Sequence, residues 1–277
     1  MNAISLKSPM LAGLAYQGGA TLVAHLPEAL ARRLGRLAAL ACWHLSPRRA
    51  GRLAENLRRL RPELPARALR AEARHAFAGF GESVVDTLLL SRAPGSDLER
   101  RVSFEGWERL EVAVRQGGAV LLGAHAGNWE WAGAAMAKRG IAVAAPARRH
   151  RGAERFFHCL RQRFGVRTAR RIAPLLRDEQ PRAVALFLDR GGEGKAAARP
   201  ARVAGHAAAL AARRGWTLLP AVCLSTRSGY RIVFGPALHP RRARAARRGD
   251  ARAAVAFLES QLRAHRGQWF AFESLES

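Results

Sequence analysis

The sequence has few of the residues that crosslink a chain or bind a structural metal ion. Its three cysteines, Cys42, Cys159 and Cys223, are widely separated in 277 residues, and none belongs to a Cys-x-x-Cys pair. A disulfide framework or a cysteine zinc site is therefore not expected, and a reducing compartment is the natural setting. Histidines such as His75 and His206 lack the spacing of metal ligands, so no metal site is predicted.

Acidic residues are also scarce. The chain contains 21 Asp and Glu against 47 Lys and Arg, a formal net charge of +26. A positive field of this size favours polyanionic partners, namely anionic membrane lipid, phosphorylated substrates, an acidic carrier protein or nucleic acid. The sequence lacks the signatures of helix-turn-helix, zinc-finger and aromatic RNA-binding modules, so a basic nucleic-acid-binding protein is the alternative rather than the first interpretation.

The chain has no long, strongly hydrophobic run. The segment from Ser8 to Pro27 has no charged residue, yet its Gln17, Gly18 and Gly19 make it marginal as a membrane span. From Ala29 to Leu90, apolar residues recur at helical spacing with arginines between them. We therefore predict a helical, membrane-associated region over residues 1–95, held at the membrane peripherally or by a single N-terminal anchor.

Beyond Pro94 and Gly95, short apolar runs alternate with segments of helical period. This alternation predicts an α/β domain over residues 96–277, with a central, mostly parallel sheet flanked by helices. The strands are expected at residues 102–104, 119–123, 141–145, 183–188, 217–224 and 230–234, and the last helix at about 250–266.

One segment has the composition of a catalytic site. His125 follows the predicted strand at 119–123, at the strand end where sites of parallel sheets gather, and Glu130 lies five residues later. A neutral imidazole can take a proton from a hydroxyl, and a carboxylate on its other nitrogen would orient it. Because no serine or cysteine lies beside the pair, the substrate's own hydroxyl is the expected nucleophile, without a covalent acyl-enzyme.

The residues around this pair resemble a known signature. Leu122 to Glu130 reads Leu-Gly-Ala-His-Ala-Gly-Asn-Trp-Glu, which is similar to the motif of the late lipid A biosynthesis (lauroyl and myristoyl) acyltransferases. These enzymes belong to the lysophospholipid acyltransferase superfamily with its His-x4-Asp/Glu motif. The likeness continues in order along most of the chain, at residues 54–57, 61–63, 104–108, 160–165, 186–189, 219–220, 229–230 and 268–270.

The resemblance implies transfer of a fatty acyl group from an acyl carrier protein or CoA thioester to a hydroxyl of a lipid acceptor. The reaction would occur at the cytoplasmic face of the inner membrane, with no cofactor besides the donor. His125 would be the general base and Glu130 its partner. Four residues would bind substrate, namely Asn128 and Trp129 of the motif, Arg163 and Asp189. Arg163 matches an arginine that binds a phosphate or stabilises developing negative charge. Asp189 would order this basic side of the site. The sequence indicates no particular oligomeric state.

The segment after Asp189 departs from the family pattern. The usual Asp-Gln-Asp block appears as Asp189-Arg190-Gly191, and the aromatic stretch that normally follows is replaced by residues 199–205. Because this part is expected to shape the acceptor and acyl pocket, a different acceptor, such as another glycolipid or a lysophospholipid, remains the alternative within acyl transfer.

Overall fold

A computed structural model describes residues 9–146, 153–176, 182–189, 199–240 and 243–275. Arg190 and Gly191 of the departing segment lie outside the described residues, whereas residues 199–205 lie within them.

The N-terminal part is helical, as the apolar spacing predicted. It forms four α-helices: α1 (Pro9–Ala24), α2 (Glu28–Leu45), α3 (Pro47–Leu60) and α4 (Ala66–Leu90). Pro47 is the first residue of α3, where its fixed φ favours a helix start, and Pro27 and Pro65 stand immediately before α2 and α4. None of the helices in the described ranges is both long enough and apolar enough to cross a membrane.

Two glycines let α2 and α4 pack at very short range. A methyl group added at Gly35 would lie 2.5 Å from Cγ2 of Val85 and 2.8 Å from the carbonyl oxygen of Gly81. A methyl group at Gly81 would overlap the carbonyl oxygen of Gly35 and lie 2.6 Å from Cβ of Ala39. The two backbones are therefore in direct contact, and the face of α2 that includes Gly35 is covered by α4.

The rest of the described chain is the predicted α/β domain. Seven strands form one sheet in the order β1-β7-β6-β2-β5-β3-β4, in which every neighbouring pair is parallel except β6 and β7. The strands are β1 (Val102–Glu105), β2 (Ala119–Gly123), β3 (Val143–Pro146), β4 (Arg167–Ala169), β5 (Ala183–Phe187), β6 (Thr217–Ser225) and β7 (Tyr230–Phe234). The helices are α5 (Gly95–Arg101), α6 (Trp107–Arg115), α7 (Trp129–Lys138), α8 (Glu154–Arg163), α9 (Ile172–Leu175), α10 (Pro200–Arg214) and α11 (Arg244–Ala264).

Strand β4 and helix α11 are among the elements that differ from the sequence-based expectation. The three-residue strand β4 was not predicted, because it has the polar sequence Arg-Thr-Ala and no apolar run. Helix α11 begins at Arg244, six residues before the expected start at Asp250, because an arginine- and alanine-rich stretch is compatible with a solvated helix as well as with a loop.

The helical region and the sheet share one hydrophobic core. One buried cluster contains Leu53 of α3, Phe77 of α4, Leu122 of β2 and Trp269, which lies after α11. The domain boundary near residue 95 stays a prediction, since the two parts are joined by packing as well as by the chain.

A partly buried ionic cluster adds a second connection between the two parts. Asp86 of α4 accepts hydrogen bonds from Nε of Arg32 in α2 at 2.8 Å and from the hydroxyl of Tyr230 in β7. Glu28 binds Arg32 at 2.8 Å and also Arg101 through both carboxylate oxygens. Burial raises the pKa of Asp86, although Arg32 and Tyr230 partly oppose that rise.

The contact between α2 and α4 can be tested by adding one methyl group. We expect Gly81→Ala to lower the free energy of unfolding by about 1–3 kcal/mol, because the new Cβ meets backbone that cannot move aside. Chemical denaturation followed by circular dichroism would measure the change. The matched control is Gly51→Ala in α3, where nothing lies within 4 Å of the added carbon. That substitution should raise stability by about 0.5–1 kcal/mol, and equal effects at both sites would contradict the close contact.

Candidate active site

His125 and Asp189 meet because their strands are neighbours in the sheet. Strands β2 and β5 are parallel, with Gly123 paired to Phe187, and each functional residue lies two positions beyond its paired residue. The carboxyl ends of both strands reach the same edge, so the two side chains come together there. Nδ1 of His125 lies 2.7 Å from Oδ1 of Asp189. With the carboxylate as acceptor, Nδ1 carries the proton of the neutral ring and Nε2 holds the lone pair.

The Asp189 carboxylate is buried and fully hydrogen-bonded. Its side chain has 0% exposure, and its Oδ2 accepts from the backbone N–H of His125 and from Nε1 of Trp269, each at 2.8 Å. Burial alone would raise the pKa of Asp189, but the charge of His125 and the three hydrogen bonds outweigh it, so the pKa lies below the usual range. Asp189 is therefore a carboxylate near neutral pH and can stabilise an imidazolium beside it.

The loop between β2 and α7 is held by helix α4. Gly127 has a φ of +55°, and a Cβ at this position would lie 2.5 Å from the carbonyl oxygen of Cys223, so glycine is required. The Gly127 carbonyl accepts a hydrogen bond from Oγ of Ser83 at 2.9 Å. Both contacts restrict the backbone immediately after His125, and so they restrict the position of the imidazole.

Asn128 is the N-cap of α7. Its Oδ1 accepts from the backbone N–H groups of Glu130 and Trp131, while its Nδ2 donates to the carbonyl of Ser83 at 2.9 Å and to Oγ1 of Thr87 at 3.0 Å. The predicted substrate contact of Asn128 stays a prediction, although its side chain is buried and both ends of its amide are bonded within the protein.

Glu130 does not contact the imidazole as the sequence predicted. Its carboxylate forms a two-point ion pair with Arg161 of α8, in which Nε of Arg161 lies 3.0 Å from Oε2. The predicted contact is wrong because Glu130 belongs to the first turn of α7 and faces α8, while Asp189 occupies the Nδ1 side of His125. The catalytic importance of Glu130 stays a prediction, since it lines the same pocket as His125.

The arginine beside the site is Arg161. The sequence predicted Arg163 for substrate binding, but its guanidinium donates to the backbone carbonyls of Ser91 and Ala93, the latter at 2.8 Å. Of these two arginines, only Arg161 is among the described residues of the pocket wall. The two positions are about 200° apart around a helix, so they point to opposite sides of α8.

His125 lies at one side of an apolar pocket. The ring of Trp129 packs edge-to-face on the imidazole, with 4.7 Å between the ring centroids. The ring of Phe187 also packs on the imidazole, with 4.5 Å between the centroids. The predicted substrate contact of Trp129 stays a prediction, since its side chain lines this pocket. Apolar side chains form much of the remaining wall: Leu121, Met136, Val143, Val166, Ala185 and Ile232. Such a pocket fits an apolar ligand beside a few polar groups.

The sequence did not predict the contacts that two residues of this site make, Asp189 and Trp269. Asp189 was expected to order a basic side chain, yet it bonds to His125, and the equal two-residue offsets from β2 and β5 would have indicated this once the strand order was known. Trp269 was noted only within a matching block. Its contact with Asp189 spans 80 residues, so local spacing had no signal for it.

Comparison with known proteins identifies a family. Over residues 4–275, nearly the whole chain, the sequence matches the model of a family described as bacterial lipid A biosynthesis acyltransferase. No curated protein matches the chain.

The Glu130–Arg161 pair can be tested by a double-mutant cycle. The two side chains are only 7% and 13% exposed, so removing one partner leaves a largely buried charge unpaired. We expect Glu130→Ala and Arg161→Ala together to destabilise the protein less than the sum of the single changes, with a coupling free energy of roughly 0.5–3 kcal/mol in denaturation experiments. In the same cycle with Arg163→Ala in place of Arg161→Ala, the two changes in the free energy of unfolding should add. If the changes for Glu130→Ala and Arg161→Ala also add, the observed pairing is contradicted.

Proposed function

The chain belongs to the bacterial lipid A biosynthesis acyltransferase family, and from this premise we propose that it moves a fatty acyl chain from a thioester to a hydroxyl of a lipid A precursor-like acceptor, with His125 as general base. The observation that carries this assignment is the His125–Asp189 hydrogen bond at the side of an apolar pocket. It supplies a base, a carboxylate that orients the base, and space for a hydrocarbon chain in one place.

In the proposed reaction, Nε2 of His125 takes the proton from the acceptor hydroxyl. Asp189 holds the ring through Nδ1, and its negative charge stabilises the imidazolium that forms. The acceptor oxygen then attacks the thioester carbonyl carbon and forms a tetrahedral intermediate. When the C–S bond breaks, the leaving thiolate receives the proton from Nε2, and the products are an ester and a free thiol.

Arg161 takes the role that the resemblance had given to Arg163. Its guanidinium lies on the pocket wall and is held in place by the ion pair with Glu130. In this position it can bind a substrate phosphate or stabilise the negative charge that develops on the carbonyl oxygen. Glu130 would thus act by holding Arg161 in place.

We propose direct transfer, without a covalent acyl-enzyme. The thiol on the pocket wall is Cys223, which donates a hydrogen bond to the carbonyl of Asn128 at 3.3 Å. Burial raises the pKa of Cys223 to about 12, and a thiolate is the form of cysteine that attacks carbonyl carbon. Near neutral pH this side chain is therefore a poor nucleophile. The donor, an acyl carrier protein or CoA thioester, is already activated, so no further cofactor is required by this chemistry.

Two substitutions test the base and its orienter. We expect His125→Ala to abolish acyl transfer, and Asp189→Asn to lower kcat by about 10³–10⁴-fold, since the amide does not stabilise the imidazolium and favours the wrong tautomer. The measurement is transfer of a radiolabelled acyl chain to a lipid A precursor in detergent micelles, with folding checked by circular dichroism.

Arg163→Ala is the matched control on the outer side of α8, and it should keep most of the activity that Arg161→Ala loses. Near-normal transfer by His125→Ala would refute the mechanism, and transfer only to other glycolipids or to lysophospholipids would redirect the acceptor assignment.

We further propose that α2 holds the enzyme at the cytoplasmic face of the inner membrane. Leu30, Leu34, Leu37 and Leu45 are between 43% and 81% exposed and recur along one side of α2, the face away from α4. Large exposed apolar patches of this kind mark membrane or protein contacts. Arg33 lies at the border of this leucine stripe, and the whole chain carries a net charge of +26, which favours a surface of anionic lipid.

Vesicle flotation tests the leucine stripe. We expect the Leu34→Asp, Leu37→Asp double variant to lose binding to vesicles that contain phosphatidylglycerol, because two carboxylates enter the contact with the bilayer. The exposed Val112 of α6, which is 41% exposed, provides the control Val112→Asp, which should still float. If the double variant binds as the unchanged protein does, α2 is not the docking helix.

A further inference from the structure

We propose that Trp269 is a positioning residue for the reaction, and that it acts through Asp189 to fix the base His125. The inference rests on the proposed function for its effect on turnover, but its geometric part can be measured without any substrate. Trp269 lies in the C-terminal segment, which contains the residues 268–273 that follow α11.

The indole N–H of Trp269 fixes the orientation of the Asp189 carboxylate. It donates to Oδ2, the same oxygen that accepts from the backbone N–H of His125, and both distances are 2.8 Å. The other oxygen, Oδ1, is thereby directed toward Nδ1 of His125 at 2.7 Å. Three donors around one carboxylate leave it little freedom to rotate, and two of them hold the oxygen that does not touch the imidazole.

The C-terminal segment also holds the backbone at His125 and just after it. The N–H of Phe270 donates to the carbonyl of His125 at 2.8 Å, and the N–H of Gly127 donates to the carbonyl of Gln268 at 3.2 Å. Ala126 and Trp269 form an isolated antiparallel bridge between these bonds. One segment therefore binds the base through its main chain and binds the partner of the base through an indole.

The segment is itself anchored at both ends. At its start, Gln268 exchanges two hydrogen bonds with the backbone of Ser225, at 2.7 and 3.1 Å. At its end, the buried side chain of Asn56 in α3 donates to the carbonyls of Ala271 and Glu273, both at 2.8 Å. The indole N–H is therefore presented from fixed backbone, as a group that positions a catalytic partner must be.

Loss of this one donor should act on the carboxylate more than on the fold. Trp269→Phe keeps a large aromatic ring in the buried site but removes the N–H. Oδ2 of Asp189, which is completely buried, would then keep only the backbone donor and could turn away from its present plane. We expect kcat to fall by about 10–100-fold, the range seen when a group that orients an active-site ligand is removed, with unchanged KM for both substrates.

The matched control is Trp43→Phe in α2. Trp43 and Trp269 are each 5% exposed, and Trp43 packs edge-to-face on Phe77 in the same core. A comparable loss of packing therefore occurs without loss of a bond to Asp189. Both variants would be compared in kcat, KM and thermal unfolding, and in the far-downfield proton resonance of the Nδ1–H bond of His125, recorded on the protein without substrate.

We expect Trp269→Phe to broaden or lose the downfield resonance and to lower kcat. Trp43→Phe should keep the resonance and the normal kcat, even if it lowers thermal stability as much as Trp269→Phe does. An unchanged resonance in Trp269→Phe, or an equal loss of kcat in both variants, would overturn the proposal. If the unmodified protein transfers no acyl chain, the proposed function fails, and the resonance alone decides whether Trp269 positions the pair.

Discussion

The hydrogen bond between His125 and Asp189 is the interaction on which the rest of the site depends. A completely buried carboxylate is costly unless donors surround it, and here the imidazole, a backbone N–H and the indole of Trp269 supply them. That requirement explains why β2, β5 and the C-terminal segment must meet at one edge of the sheet. If any of the three moved, the negative charge would lose a donor and the imidazole of His125 would lose the bond that orients it.

Helix α4 connects this site to the outer helices. Its Gly81 lies against Gly35 of α2, its Ser83 bonds to the loop after His125, and its Asp86 joins Tyr230 of the sheet to Arg32. The helix that carries the exposed leucine stripe is thus packed on the helix that holds the loop after His125. Under the proposed membrane attachment, the pocket would be held in a constant relation to the lipid surface from which an acceptor would come.

The excess of arginine has more than one physical role. Arg161 and Arg32 are bound to carboxylates, and Arg163 binds two backbone carbonyls, so part of the positive charge stabilises the fold or orders the site. Guanidinium groups suit these places because they bind in a fixed plane and stay charged when partly buried. In the net charge of +26 the ion-paired arginines are already balanced by their carboxylates, so the excess positive charge is carried by other basic residues.

The sequence by itself determined the local features of this protein. Short apolar runs separated by helical periods predicted most strands and the parallel sheet, and the composition around His125 singled it out as the candidate base, because these signals lie within a few residues. Only the tertiary structure decided the partners. Asp189 lies 64 residues from His125, and Arg161 lies 31 from Glu130. The helical phase of Arg161 and Arg163 has meaning only once α8 has packed. Such contacts follow from which strands become neighbours when both faces of the sheet are buried, and that choice is made by the whole core rather than by any local period.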